Sequence, residues 1–360
     1  MHTGFATDVE NVSPNREPST ARRNAVRKKP ARAAPRPTLQ DDPTAELCKA
    51  HARANTEDVV LDQTTVYLGE QCASDWLAVS DTPLYQQVFR ARFPFDRVAR
   101  LIGRVVRDRS VDLVTLGPGD GQGEVQMMQA LVRHRPETAF RFYLVDACQL
   151  LLGRATHLAQ TTFAAVPKVQ VRPVFGNFYD LARLPALKSR PQQKPSLRIF
   201  TMIGFTFGNF HDEAAFVNQT FAGAQPGDLL LFDVQYPHTR SRKPEVIRER
   251  DGAFRTAPTV LRRRWLEGPV RRGCEGLIEA DSILELDQSG TMAASYGIRY
   301  IVVARFENGQ TKRFHMWSVR RYHPRGLAAF MVQLGWDCVG VVPFLDTRYQ
   351  PCGVVVFQKR

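Results

Sequence analysis

At 360 residues and 43% hydrophobic, the chain is long enough to bury a substantial core and to divide into about two domains. Its apolar runs, such as 229–232 and 354–357, fall far short of the ~20 residues that cross a bilayer, so composition excludes a membrane-spanning helix. Six scattered cysteines (Cys48, Cys72, Cys148, Cys274, Cys338, Cys352) lack CxxC or Cys/His spacing, which argues against a disulfide framework or a metal site.

The formal charge of +13 raises the question of a nucleic-acid partner, and its distribution matters more than its total. Residues 16–36 hold Arg16, Arg22, Arg23, Arg27, Lys28, Lys29, Arg32 and Arg36 among Pro, Ala and Ser, with almost nothing large and apolar to offset the entropy of ordering. Residues 1–44 therefore read as a disordered basic tail, either a solubilising leader or a nucleic-acid contact. Residues 1–17 include Asp8, Glu10 and Glu17 and no apolar stretch, so no secretory signal is expected and the protein reads as cytoplasmic. A second basic group, Arg262, Arg263, Arg264, Arg271 and Arg272, brackets Trp265 and is expected to be a solvated loop.

Residues 45–108 read as mainly helical, with 96–106 placing Val98, Ile102, Val105 and Val106 on one face. At 111–117 the period changes to a short, β-branched apolar run ending in glycine, the pattern of a buried parallel strand. A helix at 124–133, a strand at 140–146, a helix at 148–160 and a strand at 169–175 follow. Then come a strand at 197–204, a helix at 213–222 and a strand at 227–234. Five strands alternating with helices predict a doubly wound, Rossmann-like α/β sheet. The alternation stops at 278–286, 297–306 and 311–317, where strand follows strand and Asn308-Gly309 signals a hairpin. This antiparallel unit, within 237–323, is expected to be an insertion. A helix at 325–334 and strands at 336–344 and 352–358 return the chain to the first sheet, giving a core of 109–236 and 324–360.

The segment Gly117-Pro118-Gly119-Asp120-Gly121 joins the first of these strands to a helix. Glycines there let backbone approach a ligand, and the helix N-terminus offers unpaired N–H donors. A dinucleotide-binding GxGxxG would need a third glycine where Gln122 stands, so the loop suits the methionine part of S-adenosylmethionine (SAM), which has no pyrophosphate. Asp146 ends the next strand, where a carboxylate can take both hydroxyls of a ribose or cap the following helix. Asn177 and Phe178 end the third strand and can meet an adenine edge and face, or form a turn and a core contact. Three ligand-compatible groups at successive strand ends point to a nucleoside-containing ligand.

Together with LGPGDG at 116–121, LVDA at 144–147 and GNF at 176–178, the run GFTFGNF at 204–210 resembles the histidine-specific SAM-dependent methyltransferase family, relatives of the ergothioneine-pathway histidine N-alpha-methyltransferase. The resemblance spans about residues 80–360 and implies a class I SAM-methyltransferase sheet and the cofactor SAM. It implies that Gly117 and Gly119, with Asp120 and Gly121, line the methionine end, and that Asp146 with Ala147 holds the ribose. Asn177 and Phe178 would meet the adenine, with Gly204 alongside. Asn209 would bind an amino group, with Thr206, Phe210 and Tyr85 completing the substrate pocket. This chain departs from the family at Asn177, where a carboxylate is usual, and at Gly123 or Glu124, where a basic residue is usual. The family's imidazole-recognising glutamate and serine fall at Met316 and Ser318. A methionine leaves an imidazole N–H unpaired, at a cost of about 1–3 kcal/mol, so histidine is not the expected substrate.

The expected function is SAM-dependent N-methylation (EC 2.1.1 type) of an amino-acid-like or other small amine of natural-product, secondary-metabolism kind. Asn209 and Tyr85 would orient the amine, and Asp233, near the end of the fifth strand, would accept its proton or serve there as a structural acid. A nucleic-acid methyltransferase using the basic tail and a non-catalytic SAM-binding partner protein are the alternatives.

Overall fold

Asp42 caps the first helix. Its Oδ1 accepts the N–H of Ala45 at 3.0 Å and Pro43 fills the first turn, which starts α1 (Pro43–Arg53) two residues inside the expected tail. The computed structural model describes residues 42–54, 56–61, 66–83, 85–86, 93–106, 109–188, 196–237, 261, 263–287, 296–345 and 351–360, all within a unit spanning 37–360. The tail up to residue 41 lies outside the described residues.

The remaining elements follow in chain order. They are β1 (Asp58–Val60), α2 (Glu70–Ser80), α3 (Phe95–Val106), β2 (Val111–Leu116), α4 (Gln122–His134), β3 (Phe140–Asp146), α5 (Gln149–Phe163) and β4 (Val169–Phe175). Next come α6 (Pro185–Lys188), β5 (Leu197–Met202), α7 (Glu213–Thr220) and β6 (Leu229–Gln235). Then α8 (Gly268–Gly273), β7 (Leu277–Asp287), β8 (Tyr296–Phe306), β9 (Thr311–Arg321), α9 (Pro324–Gln333), β10 (Trp336–Leu345) and β11 (Pro351–Lys359) complete the chain. The helix expected at 96–106 buries Val98, Ile102 and Val106, one residue in four.

Strands β4, β3, β2, β5 and β6 pair in that order and are parallel. All six residues of β2 and all seven of β6 are buried, because helices cover both faces of a parallel sheet. On the far side of β6, β11 pairs antiparallel along its whole length and β10 pairs with β11, so the chain closes on a hairpin. The direction of winding reverses between β2 and β5, the point beyond whose carboxyl ends open α/β sheets bind ligands.

The meander β7-β8-β9 extends the same sheet and touches β6 through one pair, Gln235 with Arg321. At the predicted hairpin Asn308 Oδ1 accepts the N–H of Gln310 at 3.0 Å and Gly309 takes φ +80°. Strand β9 runs four residues past the expected end at 317. Its basic end Ser318–Arg321 has no apolar alternation to announce it and is held by a buried charge pair. Arg320 Nη1 donates to Glu213 Oε1 at 2.7 Å, and Tyr322 Oη donates to the same oxygen at 3.0 Å.

Among the described residues of 45–108, helices are joined by β1, which pairs in parallel with β9 (Asp58 with Arg313, Val60 with His315). One expectation needs correction. The second basic group is not a solvated loop. Residues Arg263–Glu267 form a π-helical turn leading into α8; Arg264 pairs with buried Asp75 at 2.8 Å and Arg272 with Asp42 at 2.5 Å. These arginines are spent on tying α1 and α2 to the insertion, since a buried carboxylate needs a partner. Arg262 lies outside the described residues.

Candidate active site

The carboxyl ends of the parallel strands, the N-terminal helices and the antiparallel meander enclose one cavity. On the sheet side its wall includes Gly117, Gly119, Asp120, Glu124, Asp146 and Ala147. Phe178, Gly204, Thr206, Asn209, Phe210 and Gln235 continue it. Tyr67, Trp76 and Tyr85 close it from around α2, and Trp265, Tyr300 and Trp317 from the insertion.

The glycine loop turns in the left-handed region, at φ +61° for Gly117, +59° for Gly119 and +80° for Gly121. A Cβ at Gly121 would stand 2.8 Å from the Cα of Ala155, so α5 packs directly on the loop. A Cβ at Gly119 would meet the Trp76 ring at 2.7 Å, so α2 covers the loop from the other side. Gly121 is the residue before α4 and is absent from the cavity wall. Its work is to shape the turn.

Asp146 ends β3 at 7% exposure, and its Oδ1 accepts the N–H of Cys148 at 2.8 Å. Burial pushes its carboxyl up to about 6, with the N–H groups of Cys148, Gly119 and Ala147 pulling the other way. A buried acid on the wall beside a glycine loop is a donor set that fits the ribose and methionine parts of SAM. The Phe178 ring lies against Gly117, 3.6 Å from where a Cβ would stand, and packs edge-on against Phe210 and Phe216 at 6.1 Å. Asn177 is not on the wall. Its Oδ1 accepts the N–H of Tyr179 at 3.0 Å and caps the 3-10 turn Phe178–Arg183, so its polar group serves the backbone and not an adenine edge.

Asn209 reaches the cavity from the 3-10 turn Thr206–Asn209. With its amide oriented to satisfy both neighbours, its oxygen accepts from Trp317 Nε1 at 3.3 Å and its nitrogen donates to the Ser318 carbonyl at 3.1 Å. The turn before it contains Phe205 at φ +61°, the one non-glycine residue with positive φ among those described. Asp233 fixes that turn: the N–H groups of Gly204 and Phe205 donate to its Oδ1 at 3.0 and 2.8 Å. Burial pushes the Asp233 carboxyl up to about 7, and those two N–H groups pull it down.

Asp233 is buried behind the turn and is not on the wall, which corrects its expected role as proton acceptor. Asp233→Asn keeps an acceptor oxygen for the turn and is expected to retain methyl transfer within about tenfold. A loss beyond ~100-fold in a variant with unchanged thermal stability would return the residue to the chemistry.

Met316 and Ser318 also leave the site. Successive side chains of a strand alternate between faces, and a bulge leaves Met316 without a cross-strand partner: Tyr300 pairs with Trp317 and Ile301 with His315. Met316 is fully buried in the insertion's core, while Trp317 and Val319 face the cavity. No sequence period marks Tyr67, Trp76, Trp265, Tyr300 and Gln235, which reach the wall from five separate segments. One weak signal was present: three of the chain's four tryptophans lie on it.

Comparison with known proteins bears on the glycine-loop side of this cavity. A family model described as histidine-specific methyltransferase, SAM-dependent, matches residues 92–245, which contain the glycine loop, Asp146, Phe178 and Asn209. No curated protein matches the chain. Among solved structures, a SAM-dependent methyltransferase from Clostridium acetobutylicum ATCC 824 is 11% identical, covering 80% of this chain and 99% of its own at TM-score 0.39. Magnesium protoporphyrin IX methyltransferase from Synechocystis PCC 6803 is 10% identical, covering 83% and 100% at 0.42. The 1,6-didemethyltoxoflavin N1-methyltransferase from Burkholderia thailandensis is 10% identical, covering 80% and 86% at 0.40. These likenesses say nothing of this chain's acceptor. Over residues 92–245 the chain is similar to the histidine-specific, SAM-dependent methyltransferase family, and it is a methyltransferase that uses SAM.

Proposed function

We propose that the chain N-methylates a small amine of natural-product type with an aromatic or apolar body, and that histidine is not the acceptor. The observation that carries this reading is one cavity with two chemistries: glycine loop and buried Asp146 on one side, Asn209 among aromatic rings on the other. Histidine is set aside because the matched imidazole-recognising positions, Met316 and Ser318, do not face the cavity.

When bound, SAM supplies a methyl group on a sulfonium sulfur. Gly117 and Gly119 would admit its methionine end close to backbone, Asp146 would accept hydrogen bonds from the ribose hydroxyls, and Phe178 would pack on the adenine. Asn209 keeps one N–H and one oxygen lone pair beyond its bonds to Ser318 and Trp317, enough to orient an amine, with Tyr85 and Thr206 on the same wall. Trp76 and the rings of the insertion would exclude water from the transfer. With Asp233 committed to the backbone, the amine sheds its proton to solvent before it enters. Turnover at subsaturating amine is therefore expected to rise about tenfold per pH unit below the amine's own pKa. No helix among the described residues is long and apolar enough to cross a membrane, and the reading sets the enzyme in the cytoplasm, where unpaired cysteines stay reduced.

The test is transfer of label from methyl-labelled SAM to a panel of amines, followed by mass analysis of the product. Labelled N-methyl product from at least one non-histidine amine is expected. Failure of S-adenosylhomocysteine to bind by calorimetry would overturn the reading.

A further inference from the structure

Six aromatic side chains line the cavity, each in ring contact with the next. Tyr85 meets Trp76 at 6.3 Å between centroids, Trp76 meets Tyr67 at 5.9 Å, and Tyr67 meets Trp265 at 5.8 Å. Trp265 meets Trp317 at 5.4 Å, and Trp317 meets Tyr300 at 4.9 Å. Rings that only fill a core lose all their surface, yet Tyr67, Trp76, Tyr85 and Trp317 keep part of theirs, and all six line the cavity. Burial, and then the neighbouring Tyr85 and Asp146, raise the Tyr67 phenol far above its ordinary value, so the ring stays neutral and its face electron-rich.

The charge lining the same cavity has one sign. Asp120, Glu124 and Asp146 line the cavity, and among the described residues no lysine, arginine or histidine does. A neutral aromatic ligand gains nothing from three carboxylates. A cation gains from the carboxylates and from the ring faces together.

We propose that this aromatic box is a seat for a substituted ammonium ion, the charged form that methyl transfer leaves on the acceptor. The proposal rests on the methyltransferase reading and deepens it. In the transfer the amine lone pair forms the new N–CH3 bond while the S–CH3 bond breaks and its electron pair stays on sulfur. The positive charge thereby passes from sulfur to nitrogen. A seat that favours a cation at nitrogen stabilises the transition state, in which that charge is already developing, over the neutral amine. All six rings lie outside residues 92–245, so this recognition belongs to parts of the chain that the family match does not cover.

Choline and its neutral carbon isostere, 3,3-dimethylbutan-1-ol, have the same shape and differ in charge, so their ratio of affinities isolates the cation. Both are titrated into the full chain by tryptophan fluorescence, with and without saturating S-adenosylhomocysteine, whose sulfur is uncharged. Choline is expected to bind at least ~10-fold tighter in either case. Tyr300→Leu is expected to cut that preference to below ~3-fold and Tyr300→Phe to preserve it. Equal affinities, or a preference for the alcohol, overturn the proposal. Failure of S-adenosylhomocysteine to bind instead overturns the cofactor reading, and the ratio measured without it still decides the box.

Discussion

Asp146→Ala is expected to weaken SAM and S-adenosylhomocysteine binding by about 100-fold, read by calorimetry. Two hydrogen bonds to a carboxylate contribute about 1.5–3 kcal/mol each, and ~3 kcal/mol corresponds to roughly two decades of affinity. Burial raises the carboxyl to about 6, so its charged form is present only above that pH. Cofactor affinity should therefore be flat above about pH 7 and fall about tenfold per unit below about 6. The folded state holds this proton more tightly than the unfolded chain does. For the cofactor-free fold the group's contribution to stability is thus present at low pH and lost as pH rises from about 4 through about 6. Affinity and stability move in opposite directions across the same window. Asp146→Asn removes both effects while keeping an oxygen for the Cys148 N–H. The cofactor-free melting temperature of that variant at pH 7 should not fall. Unchanged cofactor affinity in the alanine variant would remove the basis for the site assignment.

The second large effect lies where the insertion joins the core. Glu213 and Arg320 are both buried, at 0% and 4% exposure, and Gly208 packs so closely that a Cβ there would stand 2.7 Å from the Arg320 carbonyl oxygen. Glu213→Ala leaves the guanidinium with the longer contact to Asp287, at 3.8 Å, and the Tyr322 hydroxyl without its carboxylate partner. A loss of about 3 kcal/mol in urea unfolding is expected, because breaking a buried pair costs more than the pair contributes. Glu213→Leu with Arg320→Met should recover most of it. Strand β9 also carries Trp317, whose indole N–H holds Asn209, so amine KM should rise in Glu213→Ala at temperatures where the protein stays folded. Unchanged stability would mean that the insertion is anchored elsewhere.

Much of the glycine-loop side of the cavity was legible in the sequence because its signals are local. Continuous apolar runs at 111–117 and 227–234 mark strands covered on both faces, and a glycine turn after such a strand marks a ligand-approachable loop. Asp146 could be placed at a strand end by counting. The same counting gave Asn177 and Asp233 their strand-end positions but left a ligand-facing and a structural duty open for each. Which backbone N–H groups a carboxylate or amide meets depends on how the chain turns after the strand.

The amino-acid order by itself determined the alternating core, the hairpin at Asn308-Gly309 and the position of the glycine loop, because each follows from the periodicity and turn chemistry of contiguous residues. Only the tertiary structure decided which side chains face the cavity. A single bulge in β9 sets Trp317 toward the cavity and Met316 into the core, and six rings separated by up to 250 residues meet because β1, α2 and β7–β9 fold over the edge of the parallel sheet. No periodicity within one segment encodes a contact made between segments.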